Sequence, residues 1–221
     1  MIWFTRQVRV AIAGGHGKIG RRLIRLLVAN GDEVRSLDRS PDYGEEIRAW
    51  GAEPVVCDLE AATEEEVAAA VGSVDAIVFA AGAGPGSGAE RKWTMDYGGA
   101  VKLIAAAKAT GIARYVIISS IGADPEASGD DTFSVYLRAK GKADAELEAS
   151  GLDYTIVRPV RLTDEPDTGR VQAAEHVPRG EIPRDDVAAV VAAVLHTPTT
   201  IGKTFELTSG ELPVEKALAS L

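Results

Sequence analysis

The 221-residue chain holds one cysteine, Cys57, and three scattered histidines. A lone thiol excludes an internal disulfide. His16, His176 and His196 stand apart from any cysteine or carboxylate at ligand spacing, so no metal site is expected. Positive charge is also scarce: 24 Lys and Arg against 33 Asp and Glu give a formal net charge of -9. Nothing in that balance recruits nucleic acid or an anionic membrane surface, so an anionic ligand has to be held by local groups. Long apolar runs are missing as well, with none approaching the roughly 18 residues of a membrane span. The opening Met1-Ile2-Trp3-Phe4 meets Arg6 and Arg9 almost at once, too short for the hydrophobic region of a signal peptide. These absences leave one domain over residues 1–221, expected in a reducing cytoplasm.

What is present alternates. Short β-branched runs at Val8–Ala13, Glu33–Leu37, Pro54–Cys57, Ala76–Ala80, Tyr115–Ser119, Tyr154–Val157 and Thr204–Leu207 predict strands. Several are apolar without alternation, as in strands covered on both faces. Between them, helical spacing predicts a helix carrying Ile19, Leu23, Leu26 and Leu27 that stops near Gly31. Further helices are expected at Tyr43–Trp50, Thr63–Val71, Asp96–Thr110, Phe133–Ser150, Arg184–His196 and Val214–Ser220. The alternation predicts an α/β fold with a doubly wound, mainly parallel sheet. Irregular stretches follow the fourth strand (82–88), the fifth (125–131) and the sixth, where 161–183 reads as a substrate-side loop or lid.

Gly14, Gly17 and Gly20 stand in a GxxGxxG spacing between the first strand and the first helix. Glycines there permit a tight turn, close approach of backbone N–H groups to a pyrophosphate, and close packing of helix on strand. The helix N-terminus adds donors and partial positive charge. The second strand ends in Asp38-Arg39. A carboxylate at that place accepts from adenosine ribose hydroxyls, whereas an arginine pairs with the extra phosphate of NADP. Both are offered, so the cofactor is NAD or NADP, with a slight lean to NADP. Asp58, after the third strand, either accepts the adenine amino group or caps the turn before Leu59. Ala80-Ala81-Gly82 ends the fourth strand with residues small enough to leave room for a ribose.

Ser119-Ser120 ends the fifth strand, and Tyr136 and Lys140 stand four apart on the next helix, on one face. An ammonium beside a phenol makes it a better proton donor and acceptor toward a carbonyl or alcohol. A serine at a strand's carboxyl end can polarise the same oxygen.

The chain from Val8 onward resembles the short-chain dehydrogenase/reductase superfamily, in its atypical NAD(P)H-binding, NmrA-like branch that includes biliverdin/flavin-reductase-like proteins. The matching phrases are GGHGKIG, Ala80-Ala81-Gly82, Ser119-Ser120, YLRAK from Tyr136, LDYTIVRP from Leu152, LTDEP from Leu162 and IPRDDVA from Ile182. The resemblance implies a Rossmann fold, with Gly14, His16, Gly17, Lys18 and Ile19 along the pyrophosphate and Arg39 at the adenosine phosphate. It further implies Asp58 and Leu59 at adenine, Ala80, Ala81 and Gly82 along the ribose, and Lys140 at the nicotinamide ribose. Pro159 and Val160 would border the nicotinamide, with Ser120 and Tyr136 as the polarising and proton-donating pair. Three positions depart from the family pattern: Val160 replaces the glycine of an Arg-Pro-Gly triplet, Asp96 stands where many members keep an asparagine, and Asp38 precedes Arg39. The implied activity is hydride transfer to a small carbonyl, quinone or flavin-like acceptor. The alternative is a non-catalytic, redox-sensing NAD(P)H-binding protein. A nucleotide-sugar epimerase or dehydratase ranks third, since few residues remain after Pro159 for a substrate domain. Relatives suggest a monomer or homodimer.

Overall fold

A computed structural model describes residues 7–84 and 86–221; the opening Met1-Ile2-Trp3-Phe4 lies outside the described residues. Among the described residues eleven strands are formed: β1 (Arg9–Ala13), β2 (Glu33–Asp38), β3 (Glu53–Val56), β4 (Ala76–Phe79), β5 (Arg114–Ile118), β6 (Asp153–Pro159), β7 (Arg161–Thr163), β8 (Arg170–Ala174), β9 (Glu181–Pro183), β10 (Lys203–Ser209) and β11 (Leu212–Pro213). Nine of them make one sheet in the order β11-β8-β10-β6-β5-β4-β1-β2-β3. From β3 across to β10 the neighbours run parallel, and β8 is antiparallel to both β10 and β11.

Helices α1 (Gly20–Asn30), α2 (Gly44–Ala49), α3 (Glu64–Val71), α4 (Ala89–Arg91), α5 (Ala100–Thr110), α6 (Thr132–Glu148), α7 (Arg184–Leu195) and α8 (Val214–Ala219) cover the sheet. In β1, Val10 and Ile12 pack into the core beneath α1 and α7, while Ala11 and Ala13 join the opposite core beneath α3 and α5. The two-residue period of a strand thus serves two helical layers, which is why β1 carries no polar alternation. The result is the mostly parallel, Rossmann-like α/β architecture that the alternation predicts.

Two expectations change. Residues 161–183 are not one irregular loop. β7 and β9 pair in parallel as a small second sheet, and β8 joins the main sheet. These strands have three to five residues each and pair with distant segments, so local patterning does not announce them. The buried Asp186 carboxylate accepts the N–H groups of Thr168 and Gly169, tying this region to the first turn of α7. The helix expected from Asp96 begins earlier: α4 runs into a π-helical segment, Lys92–Gly99, and then into α5.

Candidate functional site

The carboxyl ends of β1, β2, β4 and β5 open onto a cavity of about 610 Å³. Open parallel sheets bind ligands at that edge. The glycine turn forms one wall. Gly14 has φ +81°, and a Cβ there would lie 2.7 Å from the Ala81 Cα, so turn and β4 end are in backbone contact. A Cβ on Gly20 would stand 2.3 Å from the Gly14 carbonyl oxygen. This close-packed cradle, followed by the N-terminus of α1, suits a pyrophosphate.

Asp38 is buried and turned back on the turn: its carboxylate accepts the His16 N–H at 2.9 Å and the Ser36 hydroxyl at 2.6 Å. The His16 N–H is therefore committed to Asp38. The His16 ring stacks on Tyr43, with centroids 3.7 Å apart and planes 2° from parallel, and its Nε2 meets Glu46 at 3.2 Å. Arg39, the next residue along, is exposed and lines the cavity. Lys18 and Arg184 also line it, and both contact Asp164, at 2.6 and 2.9 Å. The hydrogen bond from Lys18 is the main pull holding the Asp164 carboxyl below the usual carboxylate range; Arg184 adds to it.

On the far side stands α6. Asp131 caps its start by accepting the N–H groups of Phe133 and Ser134. The helix then presents Tyr136 and Lys140 to the cavity. Lys140 is buried; its Nζ donates to the Ile118 carbonyl at 2.9 Å and lies 3.7 Å from Asp96 Oδ1. A buried ammonium needs such a partner. The π-helical segment carries Asp96 there, and its other oxygen accepts the Ala83 N–H at 3.2 Å. Asp96 thus links the end of β4 to Lys140. The same segment brings Lys92 Nζ to 5.5 Å from the Tyr136 ring centroid.

Gly14, His16, Gly17, Lys18, Ile19, Asp38, Arg39, Leu59, Ala80, Ala81, Gly82, Tyr136 and Lys140 all meet at this cavity. Four expected residues do not line it. Ser120 donates to the Ile121 carbonyl, and Ser119 lines the wall instead. Successive side chains at a strand end face opposite ways, so the two serines cannot both point in. Asp58 accepts the Glu60 N–H as a turn cap. Pro159 and Val160 are buried and sit outside the lining; the Val160 N–H pairs with Leu207, continuing the sheet. Leu37, Tyr43, Cys57, Arg91, Met95, Asp96 and Arg184 join the lining without having been assigned a site role from sequence. Arg184 carried a signal in the Ile182-Pro183-Arg184 phrase, while Arg91 and Met95 sit on a helical stretch without a motif.

A model of the NAD(P)H-binding family matches residues 14–198, from the glycine turn to just beyond α7. The chain belongs to this family. It is similar to the uncharacterized sugar epimerase YhfK of Bacillus subtilis, 41% identical over 97% of this chain and 100% of that protein. It is also similar to the UPF0659 protein YMR090W of Saccharomyces cerevisiae, at 35% over 97% and 99%. Among solved structures, a putative NAD-dependent epimerase/dehydratase from Bacillus halodurans superposes with a TM-score of 0.89 at 41% identity, covering 97% of this chain and 100% of that one. ChuY, an anaerobillin reductase from Escherichia coli O157:H7, gives 0.77 at 26% identity over 92% and 98%. Among the described residues no helix is long and apolar enough to cross a membrane.

Asp144, two turns beyond Tyr136 on α6, is buried beside the site and accepts hydrogen bonds from Ser119 and Arg158. Burial raises its carboxyl to about 6, outweighing the opposing pull of Arg158, Ser119 and Lys140. The folded chain therefore holds this proton more tightly than the unfolded chain, whose carboxyl titrates near 3.8. Its contribution to stability is complete below that value and is lost as pH rises through about 6. Asp144→Asn removes the titration. The stability difference between variant and wild type, followed by urea unfolding, is expected to move in the variant's favour by about 3 kcal/mol from acid to neutral pH. A constant difference would assign the proton elsewhere.

Proposed function

We propose that the protein is an NADPH-dependent reductase that delivers hydride to a small carbonyl, quinone or flavin-like acceptor. One observation carries this reading: a single cavity is lined by the glycine turn, Arg39 and the Tyr136–Lys140 pair. The nicotinamide, when bound, supplies the hydride. Gly14 and Gly17, whose N–H groups are taken by the Leu37 and Gly14 carbonyls, would let the pyrophosphate approach the turn closely, and Lys18 and Arg184 would hold it by charge. Lys140, fixed by the Ile118 carbonyl and Asp96, places its ammonium one turn from Tyr136 and meets the ribose. Tyr136 Oη donates the proton to the substrate oxygen as that oxygen gains negative charge. Ser119, rather than Ser120, is the serine in reach. The reductase name of ChuY supports the same class of reaction.

The NADPH preference rests on Asp38 and Arg39. Both Asp38 oxygens already accept hydrogen bonds from the protein, and the cavity-lining Arg39 is left to meet a 2′-phosphate. Charge-assisted hydrogen bonds of this kind contribute about 1.5–3 kcal/mol. Arg39→Ala is therefore expected to weaken NADPH about 10- to 100-fold while NADH binding stays close to wild type, in separate fluorescence titrations. Equal losses for the two cofactors would remove Arg39 from the phosphate site. Turnover is tested by NADPH oxidation over a carbonyl, quinone and flavin panel, with nucleotide sugars included because two relatives carry epimerase names. Binding of NADPH with no acceptor reduced would favour a redox-sensing role.

A further inference from the structure

Ser119 lines the cavity, and its hydroxyl donates to Asp144 Oδ2 at 2.8 Å. That oxygen also receives Arg158 Nε and Nη2, each at 2.9 Å. Arg158 has donors only, so the oxygen facing it has to remain an acceptor whatever happens at the rest of the carboxyl group. The other oxygen, Oδ1, is buried without a hydrogen-bond partner, so no competing contact turns the carboxylate around. A serine hydroxyl has one proton. With that proton directed at Asp144, Ser119 shows the cavity only lone pairs.

We propose that Asp144, held by Arg158, is a positioning residue that makes Ser119 a hydrogen-bond acceptor toward the substrate. The favoured substrates are then carbonyl compounds that carry an O–H or N–H donor besides the carbonyl oxygen. This rests on the reductase reading. It reverses the expected role of a strand-end serine: Ser119 does not polarise the carbonyl, a task left to Tyr136, but selects a second group on the same molecule. A buried acceptor left without a donor is costly, so a substrate lacking the donor is discriminated against.

The test uses matched probes, 2-hydroxyacetophenone and its methyl ether 2-methoxyacetophenone, with NADPH-loaded protein. Both binding constants and kcat/KM are read. The wild-type protein is expected to favour the hydroxy ketone about tenfold or more. Ser119→Ala should bring the two probes near parity. Asp144→Asn should keep the preference, because Arg158 draws the amide oxygen into the Oδ2 position, where it still accepts from Ser119. The double variant Asp144→Ala with Arg158→Met retains Ser119 but leaves its proton free, and should lose the preference. Should that variant not fold, Ser119→Ala and Asp144→Asn decide the matter alone. Equal behaviour of the probes on wild type, including binding of neither, overturns the proposal. So does a preference that survives Ser119→Ala, or one that Asp144→Asn abolishes. If both probes bind and neither is reduced, the reductase reading fails while the ratio of binding constants still tests Ser119.

Discussion

Tyr136→Phe is expected to lower kcat about 10²- to 10⁴-fold with any acceptor the protein reduces, while NADPH affinity changes little. The substitution removes one oxygen atom and leaves the ring. Its packing neighbours, Phe133 at 6.1 Å between centroids and Lys92 at 5.5 Å, stay as they are. The glycine turn, Arg39 and Lys18 hold the opposite wall and do not depend on the phenol. Loss of turnover with retained fluorescence titration by NADPH therefore separates proton donation from binding. A Tyr136→Phe variant as active as wild type would move the proton donor elsewhere in the cavity and leave Tyr136 as packing.

The second large effect belongs to the glycine turn. Gly20→Ala forces a Cβ to 2.3 Å from the Gly14 carbonyl oxygen and 2.6 Å from that of Gly15. Backbone atoms there cannot yield without reshaping the cradle. The variant should lose at least about 100-fold in NADPH affinity, since the glycine turn and the head of α1 move off the phosphates together. Overpacking should also cost about 1–3 kcal/mol in urea unfolding. Gly31, which closes α1 with φ +91° and has nothing within 4 Å of a Cβ, is the matched control. Gly31→Ala should cost stability and leave NADPH binding unchanged. Undiminished NADPH binding by Gly20→Ala would relocate the pyrophosphate.

How much of this is legible in the sequence depends on the range of the interaction. The glycine spacing and the Tyr136–Lys140 pair encode local geometry, one turn or one helix face, and both came together at the cavity. The parity of the serines did not follow from sequence, because it depends on where β5 ends. The orientation of Asp38 had a signal two residues away: Ser36 lies on the same strand face and donates to it. The partners of the buried acids lie far off in sequence: Asp96 meets Lys140 and Asp144 meets Arg158. Asp96, met as a departure from an asparagine pattern, belongs to a buried ion pair. What puts it there is the π-helical stretch Lys92–Gly99, whose wider turn extends the helix upstream of the Asp96 start that the spacing predicts. The strands within 161–183 escape local patterning for the same reason of range.

The strand order also governs when the cavity comes into being. β1 ends up between β4 and β2, both of which follow it in the chain, and β10 inserts between β6 and β8, both of which precede it. The cavity lining runs from Gly14 to Arg184. A nascent chain emerging from the ribosome completes the glycine turn first, yet it lacks the cation at the head of α7 until Arg184, 170 residues after Gly14, has been added. Synthesis proceeds at roughly 5–20 residues per second, so the phosphate cradle waits roughly 10–30 seconds for its last wall.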